Sequence, residues 1–200
     1  MARRRLEEQG DTREEILAAA FRLFGRYGYD GVSMASVAEV AGVKKASLYY
    51  HYVSKEALFR DCNRRLHALF DAVVFFPMQR ATGAAARFYA LFDGVQTLLR
   101  DPQIADGLAG YWLDPASVQL DRVRRAHEEF TSRATEAIAV VMRDGVAAGE
   151  LRFDGDVSAM ARSVLAVIEV LALPLRGRSH DEIASVVNHL GNTFLRAYLV

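Results

Sequence analysis

The chain has 200 residues, 52% of them hydrophobic, and its 25 basic and 25 acidic side chains leave a formal net charge of zero. Such apolar content excludes a disordered chain, and the length allows one or two domains with packed cores. A single cysteine, Cys62, excludes an internal disulfide framework and suits a reducing cytosol.

The pattern predicts helices almost throughout, an all-α chain of about nine. The first is expected to start at Thr12, where Thr12-x-x-Glu15 reads as a capping box. It carries Ile16, Ala20, Phe24 and Tyr27 at helical spacing and ends at Gly28. Ser33 caps a short helix, Met34–Ala41, with a small apolar face of Val37, Ala38 and Ala41. Gly42 permits the left-handed backbone that stops a helix, and Val43 packs behind the turn. A second short helix follows, in which Leu48 is the single strongly apolar residue among Lys44, Lys45, Ser47, Tyr49, Tyr50 and His51. A helix with so little to bury suits presentation to a partner, and these side chains suit a phosphate-lined groove. A longer helix begins after Ser54, carries Leu58, Cys62, Leu66, Leu69 and Val73 on one face, and is expected to end at Pro77.

Further helices are expected over 84–100, 117–148, 156–175 with Asp156 as its cap, and after the capping box Ser179–Glu182, with a poorly periodic segment between Pro102 and Pro115. The head is mildly basic and the body mildly acidic, with 12 Lys/Arg against 9 Asp/Glu in residues 1–65 and 13 against 16 beyond. Net neutrality therefore does not exclude a nucleic-acid partner, because the contact surface decides. No apolar stretch follows Arg3–Arg5, as a secretory leader would require. The longest near-apolar run, Val164–Leu175, is too short and too polar to span a bilayer. The expected location is the cytoplasm, without a membrane partner.

Lys44, Lys45 and Lys55 are the candidate phosphate contacts, and Ser33 and Ser36 open the preceding helix where they could add to them. Arg3–Arg5 admit two readings, a minor-groove arm or a solvated tail. Thr12-Arg13-Glu14-Glu15-Ile16-Leu17, Phe24, Gly28, Ser33, Val37-Ala38, Ala41-Gly42-Val43, Lys45, Ser47-Leu48-Tyr49, His51 and Ser54-Lys55-Glu56-Ala57-Leu58 together resemble the DNA-binding domain of TetR-type transcriptional regulators. Three positions depart from the family pattern: Ala46 for a common Gly, Tyr52 for a common Phe, and Ala35 for a commonly polar residue. The resemblance implies a DNA-binding domain over residues 10–70, with its helix-turn-helix at 33–52. It also implies a helical ligand-binding and dimerisation domain over 71–200. It places Tyr49 on the sugar-phosphate backbone and Lys44, Lys45, Ser47 and Tyr50 near base edges, with His51 beside them. The partner would be a double-stranded operator, bound by a homodimer.

In the body, the helix around Val164, Ile168 and Leu171 is apolar almost all round, and the last helix offers Val187, Leu190 and Phe194. These six are the expected dimer seam, and Glu169 within it must find a hydrogen-bond partner or stay at the rim. Phe75, Phe76, Phe88, Phe92, Trp112 and Phe130, with His127 on the same stripe as Phe130, are candidates to line an apolar effector pocket. Plain core is the competing reading of each. No Gly-rich phosphate loop, nucleophile elbow or metal-ligand spacing appears among the motifs, so neither an enzyme nor a cofactor is expected. The alternative function is a helical ligand-binding or scaffold protein without DNA binding.

Overall fold

The computed structural model describes residues 2–112, 119–175 and 177–200; side chains are described outside residues 2–11, 106, 109, 110, 112, 172 and 173. The described residues are helical, apart from turns and one isolated bridge between Leu151 and Leu199. In chain order the helices are α1 (Ala2–Tyr27), α2 (Met34–Val40), α3 (Lys45–His51), α4 (Lys55–Phe70), α5 (Phe76–Arg80), α6 (Ala84–Leu99), α7 (Pro102–Trp112), α8 (Asp121–Ala147), α9 (Val157–Leu175) and α10 (His180–Tyr198). α1 begins well ahead of Thr12, which sits inside the helix, so the expected Thr12 cap is not where the helix starts.

Close Cα neighbours divide the chain into two compact units. One comprises Met1–Leu66 with Asp106–Ala126; the other comprises His67–Ala105 with His127–Val200. In the first unit, Ile16, Ala20 and Phe24 of α1 are fully buried with Val37, Leu48, Leu58 and Phe59. Phe24 and Phe59 meet edge to face at 5.0 Å between centroids. α1 stops at Gly28, whose φ of 69° is the left-handed region. α7 enters this unit through Tyr111, which is completely buried beside the Phe21, Phe24 and Phe59 rings. Its hydroxyl donates to the Phe21 carbonyl at 3.0 Å, satisfying a polar group that burial would otherwise penalise. Cys62 is buried near it, and desolvation pushes its thiol up to about 12, so it behaves as core.

In the second unit α6 packs along α10. The expected break at Pro77 is absent because five residues of π-helix, Asp71–Phe75, connect α4 to α5. The Phe76 N–H reaches back to the Asp71 carbonyl, a wider turn that lets Pro77 occupy the first turn of α5, where no N–H is needed. Gly94 of α6 lies against this turn; a Cβ there would stand 2.5 Å from the Val73 carbonyl oxygen. α9 is capped by Asp156, which accepts from the Ser158 and Ala159 N–H groups, and α10 by the reciprocal Ser179/Glu182 box. The expected caps at both helices are therefore present.

Candidate nucleic-acid interface

The turn between α2 and α3 is built locally. Ser33 and Ser36 cap α2 reciprocally: the Ser36 N–H donates to Ser33 Oγ at 3.0 Å, and the Ser33 N–H donates to Ser36 Oγ at 3.1 Å. Gly42 then takes φ 68°. The Val43 N–H donates to the Ala38 carbonyl at 3.0 Å and the Gly42 N–H to the Glu39 carbonyl at 3.1 Å, the double closure that ends a helix through a left-handed residue. The Ser33 and Ser36 hydroxyls expected at DNA are thus committed to the cap.

α3 has one buried residue, Leu48, at 0% exposure. That peg fixes the helix and turns the remaining side chains out. Lys44, Lys45 and Ala46 are exposed, Tyr49 is half-exposed, Tyr50 is 72% exposed, and Ser47 and His51 are partly covered. The Tyr50 and His51 rings meet edge to face at 5.2 Å. Tyr52 points inward, with the Arg13 guanidinium 5.4 Å from its ring centroid; burial raises its hydroxyl to about 12. α3 and its N-cap residue Lys44 therefore present two ammonium groups and two amphipathic rings to solvent. These are the groups that neutralise phosphates and reach base edges or sugars.

Several other cations of this unit are engaged. Arg13 and Arg64 both bind the Asp61 carboxylate, and Arg65 pairs with Glu14. Lys44 and Lys45 have no ion pair among the described residues, so their charge remains available to a polyanion. Lys55, expected on phosphate, is placed otherwise. Its Nζ donates to the Tyr29 carbonyl at 3.0 Å and the Val32 carbonyl at 3.1 Å, and lies 4.1 Å from the Tyr29 ring centroid. It clamps the α1–α2 turn, satisfying carbonyls beyond the C-terminus of α1. The sequence signal that could have found this is the aromatic Tyr29 just past Gly28, a ring against which a lysine stem can lie.

In the body the expected aromatics separate into two clusters. Phe75 and Phe130 join Phe70 and His67, whose ring stacks on Phe130 at 4.3 Å and lies 5.8 Å from that of His127. Desolvation, reinforced by repulsion from Arg133 and from His127 whenever that ring is protonated, pulls the His67 pKa down to about 3; desolvation lowers His127 as well. The His67 ring is therefore neutral at neutral pH. Phe88 and Phe92 belong instead with Phe194, 4.7 and 6.4 Å away. Phe76 is 55% exposed and lies under the Arg80 guanidinium, so it is a surface ring and no pocket wall. The π-turn rotates it outward while Phe75 goes inward. The Trp112 side chain lies outside the described residues. Among the described residues, two of the grooves on the body lie between helices. One, of about 380 Å³, runs between α6 and α10 along Tyr89, Phe92, Asp93, Asn188 and Asn192. The other, of about 760 Å³, runs between α8 and α9. Phe92 alone of the expected ligand residues lines either.

The expected seam residues Val164, Ile168, Leu171 and Val187 are buried within the single chain, Leu190 is half-buried, and Phe194 packs on Phe88. The chain claims its larger apolar side chains for its own core. What α9 leaves outside is Ala166, Val167, Val170 and Pro174, while the outer face of α10 carries Asn188, His189, Asn192 and Thr193.

Residues 16–62 match the sequence profile of "Bacterial regulatory proteins, tetR family". The chain is 25% identical over 160 residues to the HTH-type transcriptional repressor AcnR of Corynebacterium jeikeium, a match spanning 80% of this chain and 78% of that protein. It is 38% identical over 61 residues to the HTH-type transcriptional regulator AcrR of Shigella flexneri, a match confined to 30% of this chain and 28% of that protein. A transcriptional regulator from Saccharomonospora viridis, solved in complex with choline, superposes with a TM-score of 0.74 at 25% identity, covering 90% of this chain and 95% of that one. The outward helix-turn-helix pegged by Leu48 lies within the matched span, so residues 16–62 carry a DNA-binding domain of the TetR-family type, on a helical chain whose fold is shared with these transcriptional regulators.

Proposed function

We propose that the chain binds a palindromic operator as a homodimer, represses transcription there, and is released by a small, largely apolar effector. Residues 10–70 form the DNA-binding domain in this reading, and residues 71–200 carry effector binding and pairing. The observation behind it is α3, where Lys44, Lys45, Tyr49 and Tyr50 surround a single buried Leu48. One such helix reads only half a site. Two, related by a twofold axis, would read half-sites about 34–36 Å apart, which is the reason for a symmetric operator. Repression follows the naming of AcnR, and a small-molecule effector follows the choline bound to the Saccharomonospora viridis regulator. Cytoplasmic location goes with a DNA-bound role, and no described helix is long and apolar enough to cross a membrane.

Release works through α4. It is one unbroken helix from Lys55 to Phe70 and continues through the π-turn to Phe75. An effector inserted beside Phe75 and Phe130 would tilt it and change the spacing of the paired α3 helices. The effector must bind the DNA-incompatible form more tightly for this to act. Gel shifts against the DNA upstream of the chain's own gene, across a salt series, test the reading. Binding that falls steeply with salt supports it, because each neutralised phosphate releases counterions. Salt-insensitive or absent binding to any duplex would favour the rival, a helical ligand-binding or scaffold protein.

A further inference from the structure

α9 carries a stripe that its own chain leaves uncovered. Ser163, Ala166, Val167, Val170 and Pro174 are exposed at three- and four-residue spacing, over an apolar groove of about 360 Å³. Along one edge of that stripe stand Arg162 and Glu169, both lining the groove between α8 and α9. They are seven residues apart, two helical turns, and so lie on the same edge about 10 Å from each other. Arg162 is exposed and has no ion pair among the described residues. Glu169 has its Oε1 buried without a hydrogen-bond partner. A buried carboxylate oxygen without a donor is costly, and a cation brought by a second chain would satisfy it.

A twofold axis crossing α9 between Leu165 and Ala166 is equidistant from Arg162 and Glu169. Two copies of α9 laid antiparallel about that axis put the apolar stripes face to face, centred on Ala166 and Val167. The same rotation sets the Arg162 edge of one copy along the Glu169 edge of the other. The charges are therefore self-complementary, as an isologous interface requires.

We propose that in the homodimer Arg162 of each chain pairs with Glu169 of the partner subunit across antiparallel α9 helices, completing the carboxylate that the single chain leaves without a donor. This inference rests on the dimer reading above. Burial alone holds the Glu169 carboxyl up at about 6, the state of an acid still lacking its cation.

The test is sedimentation equilibrium of the full chain and of R162E, E169R, E169Q and the double swap R162E/E169R, with circular dichroism melts to confirm that each is folded. The expected result is a wild-type dimer, single charge reversals that weaken association about tenfold or more, and a double swap that restores it. E169Q keeps the shape and should weaken pairing less than E169R. A wild-type chain that stays monomeric would overturn the dimer reading and this one with it. A wild-type dimer with folded single reversals that associate normally, or a double swap as weak as either single, would overturn the ion pair and leave the dimer standing.

Discussion

Replacing Lys55 by Met separates a structural lysine from a DNA contact. The Nζ makes two charge-assisted hydrogen bonds, to Tyr29 O and Val32 O, and sits over the Tyr29 ring. Hydrogen bonds to a charged group contribute about 1.5–3 kcal/mol each when removed singly, and a half-exposed cation–π contact about 0.5–1. Those figures overlap here. The Tyr29 carbonyl retains the Val32 N–H at 3.3 Å, and the Met stem keeps the packing of the lysine methylenes. The net loss is therefore about 2 kcal/mol, which for a chain of this size lowers Tm by about 4–8 °C. DNA affinity at a temperature where both proteins are folded should keep the wild-type salt slope. Lys45→Met should do the opposite: an unchanged melt, and a salt slope shallower by about one. Thermal melts and gel shifts at several salt concentrations decide between them. If Lys55→Met leaves Tm unchanged and flattens the salt slope, the clamp is wrong and Lys55 is a phosphate ligand after all.

Tyr50→Ala should leave the melt untouched, since the ring is 72% exposed, while weakening binding to a specific operator by about 1–3 kcal/mol in a gel shift. Gly94→Ala would push a Cβ to 2.5 Å from the Val73 carbonyl and should cost about 1–3 kcal/mol in urea unfolding. Gly42→Ala meets nothing within 4 Å, yet should cost about 1–2 kcal/mol from its left-handed φ alone. His67 is held neutral with its pKa lowered to about 3, so below its ordinary 6.5 the unfolded chain binds the extra proton. Its contribution is full above pH 6.5 and is lost as pH falls toward 3, by about 1.4 kcal/mol per pH unit. His67→Phe, which preserves the stack on Phe130, should flatten that acid limb in urea titrations between pH 7.5 and 5.

Several features were legible because they depend on near neighbours in sequence. Gly42 with Val43, Ser179 with Glu182, Asp156 with Ser158 and Ala159, and the lone Leu48 among polar residues all read out of bonds that close within five positions. Other features were misread for a common reason. Pro77 forbids an α-helical bond but permits a π-turn, a choice that rests on Gly94 offering room beside Val73. Among the aromatics, spacing placed Phe75, Phe88 and Phe130 on apolar faces but did not say which faces meet, and they fall into two clusters.

The linear order of residues determined the helical class, the turn geometry of the reading head and the identity of the side chains that surround it, because hydrogen bonds between residues three to five apart need no distant partner. Tertiary packing alone decided that Lys55 closes the turn between α1 and α2, that Tyr111 returns to the head, and that α9 shows Val167 and Val170 to solvent while hiding Ile168. A flexible ammonium and a helix apolar all round are each compatible with several neighbours. Which neighbour arrives depends on residues tens of positions away, and the burial it brings is what fixes the outcome.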